Sequence, residues 1–329
     1  MAQIYTFPTH PLLVFSDDAD AWLAEMKAEI DNPPDRGYPR GARWPIFTES
    51  RLAAMTDLVR DPSKDTPDVV ARLDLNSQEG GRVWYGVRDA IHKLPNHQER
   101  LLDLVVVAHQ QTPGDYKQPL EFPDIFGQYT NWSPSGVERN LKKNAAESFL
   151  AETFMAKLTA RGLAGPQSDD AMKHLAAWRD RGALVLRQYL ESTPWDPKSA
   201  TYEYADDPEE EEEEGLEDGE EPYIEMSRSV RMLDYTVLFV HPWIAICGGA
   251  FYDACVADPA PVFPSDVPGE NRDNNFGVGK GYCMARWDFW RDRLQAISET
   301  EELMPATRDV ARDCVARMRE VEMEKGRKA

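Results

Sequence analysis

The sequence predicts an all-α fold, an irregular multi-helix bundle of about nine or ten helices with a long acidic disordered loop. Apolar residues recur at helical spacing from Trp22 to the C-terminus. Capping residues and prolines punctuate those stretches. No run keeps the period-two alternation of a strand. The best β-like stretch, Val105 to Val107, follows Leu101, Leu102 and Leu104, which favour a helix.

The first helix is expected from a cap at Ser16 to about Ile30, with Trp22, Leu23, Met26 and Ile30 on one face. Asn32 to Pro45, rich in proline and glycine, reads as a rigid non-helical connector. Helices then follow over Thr48–Arg60, Pro67–Leu75 and Val83–Leu94. Pro95 ends the last of these, and Asn96 is placed to cap the next, which stops before Pro113. Tyr116 to Trp132 is an irregular aromatic segment. Ser135 and Glu138 form a capping box that opens a long helix to about Arg161. Asp169 to Leu190 stacks Leu175, Trp178, Val185 and Tyr189. Ser227 to Ala257 is helical and bent or broken at Pro242. Tyr282 to Leu294 places Cys283, Trp287, Trp290, Leu294 and Ile297 on one stripe, bordered by Arg286, Arg293 and Arg291. Thr307 to about Lys325 closes the chain.

With 329 residues there is ample material for a core. Residues 1–80 are expected to form a helical lobe packed on a main domain over 81–329, which the acidic insert 198–226 interrupts. The net charge is −21, but thirteen acidic residues and no basic ones lie between Glu203 and Glu221. Without that run the chain carries −8, ordinary for a soluble domain. The acidic balance argues against nucleic-acid partners and against anionic membrane surfaces. Tyr235 to Tyr252 holds eighteen residues without formal charge, near the lower limit for a membrane span. His241, Pro242 and the Gly248–Gly249 pair favour a buried central helix instead. The first fifteen residues lack a charged leader and contain two prolines, so no signal peptide is expected. The four cysteines are scattered and form no C-x-x-C pair, which points to reduced thiols and a cytoplasmic location, with the nucleus as an alternative.

Catalytic and cofactor motifs are missing from the sequence. Asn274 to Gly281 approaches a phosphate-binding loop, but Asn274 replaces the first glycine and Gly281 the magnesium-binding hydroxyl. The six histidines never pair at i, i+4, so no metal site is expected. No G-x-S-x-G elbow occurs, and Cys247 and His241 lean to different faces of their helix. Neither catalytic residues nor cofactors are therefore assigned. Two candidate binding features remain. Trp243, Arg286, Trp287 and Trp290 either fill the core or line a pocket for a planar or anionic ligand. Asp206, Asp207, Glu209, Glu210, Glu211, Glu212, Glu213 and Glu214 either form a solvated loop or a docking strip for a basic protein partner.

Four blocks carry a resemblance to a known family. They are Ile91–Pro95 with Gln98–Leu104, Phe122–Ile125 with Trp132, Trp243–Gly249, and Arg286–Leu294, the most specific. The chain resembles a group of uncharacterised ascomycete fungal proteins, domain of unknown function 3632, over about Arg82 to Ile297. The resemblance implies a soluble all-helical fungal protein without established catalytic residues, and an association with secondary metabolism. The leading expectation is a non-catalytic interaction or scaffold protein. The alternatives are a small-molecule-binding accessory protein or unrecognised enzyme, and homodimerisation through the aromatic surfaces.

Overall fold

A computed structural model describes residues 5–33, 45–75, 80–111, 134–166, 168–191, 233–257 and 281–326, with backbone alone for 80–81 and 134–144. Among the described residues the protein is all-α, without strands. The helices are α1 (Ala19–Asp31), α2 (Glu49–Arg60), α3 (Thr66–Leu73), α4 (Gly80–Lys93), α5 (Gln98–Gln111), α6 (Pro134–Ala164), α7 (Asp170–Ala177), α8 (Arg179–Leu186), α9 (Leu233–Val256), α10 (Met284–Glu299) and α11 (Pro305–Glu324). A 3-10 turn, Pro95–His97, precedes α5, and a π-helical turn, Arg187–Glu191, follows α8.

The chain divides into two compact units, one holding residues 13–131 and 146–177, the other 1–12, 132–145 and 178–329. Helices α2 and α3 pack together, and α3 packs on α5. The acidic insert, the Asn274–Lys280 loop and the aromatic segment lie outside the described residues, as does most of the Asn32–Pro45 connector.

In the first unit, α1 buries Trp22, Leu23 and Met26. The Trp22 ring meets Phe47 edge-on, with centroids 6.2 Å apart, and its Nε1 donates to Asp89 on α4 at 2.8 Å. The helix starts at Ala19 and is capped by Asp18, whose side chain accepts from Ala21 N, rather than by Ser16. Asp17 adopts a left-handed conformation just before this cap, at φ 42°, and its carboxylate accepts Asn96 N at 3.1 Å. Asn96 lies within the 3-10 turn, so it does not cap α5 as expected. The α2–α3 connection is held by Arg100, whose guanidinium donates to the carbonyls of Asp61, Pro62 and Lys64. Gln98 at the start of α5 is buried and donates to Leu150 O at 3.1 Å, which ties α5 to α6. Gly162 lets α6 approach α7 closely, for a Cβ there would stand 2.4 Å from Ala176 N.

The second unit is built around α9. Its side chains are buried along most of its length, and it packs against α11, α10 and α8. This helix is long and apolar enough to cross a membrane by length and composition, but 72% of its most apolar window is buried in the protein. Packing accounts for its apolarity. Pro242 neither breaks nor ends it; α9 continues from Leu233 to Val256. The cost of the missing N–H is offset by burial of Leu238, Trp243 and Ile244 around it. The expected single helix over 169–190 is two, α7 and α8, with Trp178 in a turn between them. At Gly182 the bare Cα of α8 admits the Trp243 ring, because a Cβ would stand 2.3 Å from Trp243 Cε3.

An N-terminal strap, residues 5–12, is bound to α9 and α11 by two histidines. Tyr5 hydrogen-bonds His241 Nδ1 at 2.9 Å. Leu12 N donates to His10 Nδ1, so the proton of a neutral His10 sits on Nε2, which donates to Thr307 Oγ1 at 3.0 Å. The Thr307 hydroxyl in turn donates to Asp234 Oδ1, which also accepts Met304 N at 3.0 Å. Asp234 thereby places its charge at the N-terminus of α11, where the helix dipole favours it.

Two expectations follow from this packing. Gly182→Val should destabilise the protein by about 1–3 kcal/mol through overpacking against Trp243, read as a lower urea midpoint at unchanged slope. An unshifted midpoint would contradict the close approach of α8 and α9. Burial lowers the pKa of His10, and that of His241 to about 4, from an ordinary value of 6.5. As pH falls below 6.5 the unfolded chain therefore takes up protons before the folded one. The strap contribution is intact above pH 6.5 and is lost as pH falls towards about 4, on the order of 3 kcal/mol for His241. Thermal midpoints should decline less steeply over that window in a His10→Gln/His241→Gln variant than in the wild type. Parallel declines would refute the assignment.

Candidate functional site

The four aromatic and arginine candidates all lie in the second unit. Trp243, Trp287 and Trp290 are 0% exposed and Arg286 is 1% exposed. Helix α10 places Arg286 and Trp290 one turn apart, so both side chains face the same direction. They converge on one carboxylate, that of Glu191, at the end of the π-helical turn. Arg286 Nε forms an ion pair with Glu191 Oε1 at 3.0 Å, and Trp290 Nε1 donates to the same oxygen at 2.7 Å. The Arg286 Nη1 group donates to Gly281 O. Phe251 of α9 continues the cluster, with its ring centroid 6.3 Å from that of Trp290 and 6.5 Å from that of Trp243.

Trp287 belongs to a neighbouring arrangement. Its ring meets Tyr252 edge-on at 5.3 Å, and its Nε1 donates to Glu322 Oε1 at 2.7 Å. Arg291 reaches the same oxygen at 2.7 Å and Asp288 at 3.1 Å, the latter being the expected i, i+3 pair. The cluster is therefore interior, with the polar atoms directed at one another. Burial raises the pKa of Glu191, while Arg286 and Trp290 oppose that rise. No sequence pattern identifies Glu191. The π turn changes the helical phase just before it and directs the side chain inward.

Burial acts on several other reactive groups in this unit. Burial pushes the Cys247 and Cys255 thiols up to about 12 and that of Cys314 still further. Tyr282 donates to Asp180 Oδ1 at 3.1 Å, and its hydroxyl is likewise raised by burial. His241 is engaged by Tyr5, which leaves the nominal Cys247–His241 pair without an activated nucleophile.

The first unit contains a cavity of about 320 Å³ that no sequence motif announces. Its walls include Phe15, Trp22, Glu25, His92, Lys93 and Glu147. Lys93 is neutralised by Glu25 at 3.1 Å and Asp89 at 3.3 Å. Burial depresses the pKa of His92 to about 4, so it is neutral at pH 7. Glu147 lies 4.0 Å from His92, and its pKa is raised by burial and by Asp89. The volume is at the small end of the ligand-pocket range.

The docking-strip residues Asp206, Asp207 and Glu209 to Glu214 lie outside the described residues. Fold and site together define an all-α protein with an interior ion-pair cluster and no recognisable catalytic constellation among the described residues. The profile of domain of unknown function 3632, a protein of unknown function, matches residues 84–294. The chain belongs to this family. No curated protein and no solved structure matches.

The Glu191 cluster generates a direct expectation. Glu191→Ala leaves the Arg286 guanidinium buried without its carboxylate and should cost about 3–5 kcal/mol. Glu191→Gln should cost less, since its amide oxygen can still accept from Trp290 Nε1. Urea denaturation monitored by tryptophan fluorescence separates the two, and an equal, small effect of both would refute the pairing.

Proposed function

We propose that the protein is a non-catalytic interaction protein, a helical scaffold that presents an acidic docking segment to a basic protein partner. The observation that carries this reading is the charge distribution: thirteen acidic residues and no basic one between Glu203 and Glu221. The described elements that flank the segment in sequence, ending at Glu191 and beginning at Leu233, belong to the same unit. Supporting it, the buried polar groups of that unit serve helix–helix contacts rather than an open site. None of the four cysteines is in a disulfide, which suits a reducing, cytoplasmic setting.

A second reading, a small-molecule-binding accessory protein in fungal secondary metabolism, draws on the cavity beside Trp22 and Glu147. A ligand there should raise the thermal midpoint, and Trp22→Leu should remove that rise.

Fluorescence anisotropy with a lysine-rich peptide tests the leading reading. Wild type should bind, and deletion of Glu203–Glu221 should abolish binding without moving the thermal midpoint. Raising salt from roughly 0.05 to 0.3 M should weaken binding strongly. Equal binding by the deletion variant would overturn the docking role.

A further inference from the structure

His109 is unusual among the buried polar side chains. It sits in the last turn of α5, is only 6% exposed, and neither ring nitrogen meets a hydrogen-bond partner among the described residues. A buried polar atom without a partner costs about 1–3 kcal/mol, so its presence calls for an explanation. The neighbouring group is another imidazole. His174 of α7 lies with its ring centroid 5.1 Å from that of His109 and its plane turned by 75°. Asp169 stands close enough for its charge to act on His109 while its Oδ1 caps α7 through Ala171 N.

Ordinary packing does not require this pairing, because two imidazoles gain little from an edge contact that leaves their nitrogens unbonded. Metal ligation does fit the spacing. With zinc–nitrogen bonds of about 2.0–2.1 Å and a tetrahedral angle, two imidazole centres lie about 5.2 Å apart. The observed 5.1 Å agrees with that value. The carboxylate of Asp169 supplies a charge that favours a cation here.

We propose that His109 and His174 form a two-imidazole site for a borderline divalent cation of the zinc type. Among the described residues no three His, Cys, Asp or Glu side chains gather around one point, so water completes the coordination. Two protein ligands give affinity on the order of micromolar, well short of a closed structural zinc site. The pair was not visible in the sequence because residues 109 and 174 are far apart along the chain. Only the packing of α7 on α5 brings them together.

The test uses the full chain, untagged and freed of metal by chelation, titrated with zinc chloride in a calorimeter. Wild type should take up zinc saturably at one site, and excess zinc should raise its thermal midpoint. His174→Gln and His109→Gln should each weaken that uptake at least about tenfold. His97→Gln, a control histidine outside the pair, should bind as wild type does. Circular dichroism checks the fold of each variant. Should His109→Gln fail to fold, the less deeply buried position 174 decides the matter alone. No saturable uptake would overturn the proposal, as would uptake that His174→Gln leaves unchanged, which would place the metal on the acidic segment instead.

Discussion

Glu191 and Arg286 can remain ionised inside the protein only while they face each other, because removing either charge from water costs several kcal/mol. Their separation of 3.0 Å offsets part of that cost. The pairing constrains much around it. Arg286 fixes the rotation of α10, since its guanidinium also grips Gly281 O at the entry to the helix. With that rotation set, Trp290 falls one turn further on and reaches the same carboxylate. Trp287, on the adjoining face, then meets Tyr252 and Glu322. Thus the orientation of α10 against both α9 and α11 follows from the position of one acid at the end of a π turn.

What the sequence made legible was the local part of this arrangement. The stripe of Trp287, Trp290, Leu294 and Ile297 is buried as its spacing implies, and α9 is the buried central helix that its apolar run suggests. Arg286, by contrast, was placed on the border of that stripe and is interior. Its burial depends on Glu191, whose inward direction results from the π turn and not from a 3.6-residue period. The strap network was equally hidden, because His10, Thr307 and Asp234 come from three distant segments. Displacement of the first cap from Ser16 to Asp18 has the same origin: Asp17 turns left-handed and binds Asn96 from another element. Local pattern decides where a helix forms. Tertiary partners decide where it starts and which polar residue is buried.

The two units differ in what their polar groups leave available. In the second, Glu191, Glu322 and Asp234 each accept from more than one donor, and the phenol of Tyr282 is bound to Asp180. Using any of these in binding would first require breaking a contact that holds two helices together. Two features stand out in the first unit. The cavity beside Glu147 and the nitrogens of His109 are places where a ligand atom adds an interaction without removing one.

The extent of the family match separates these features further. Residues 84–294 include Glu191, Arg286 and Trp290, and both His109 and His174. They exclude Phe15 and Trp22, which wall the cavity, and Glu322 and Thr307, which bond Trp287 and Asp234. The ion-pair cluster and the histidine pair are therefore complete within the matched segment. The cavity is not, since α1 supplies part of its wall. An argument about the cavity accordingly concerns this chain, whereas the histidine pair and the Glu191 cluster are contained in the part that the family profile describes. The acidic run lies inside the matched segment, but its argument rests on charge alone. The described helices that flank it in sequence, ending at Glu191 and beginning at Leu233, both belong to the unit in which the ion-pair cluster fixes α10.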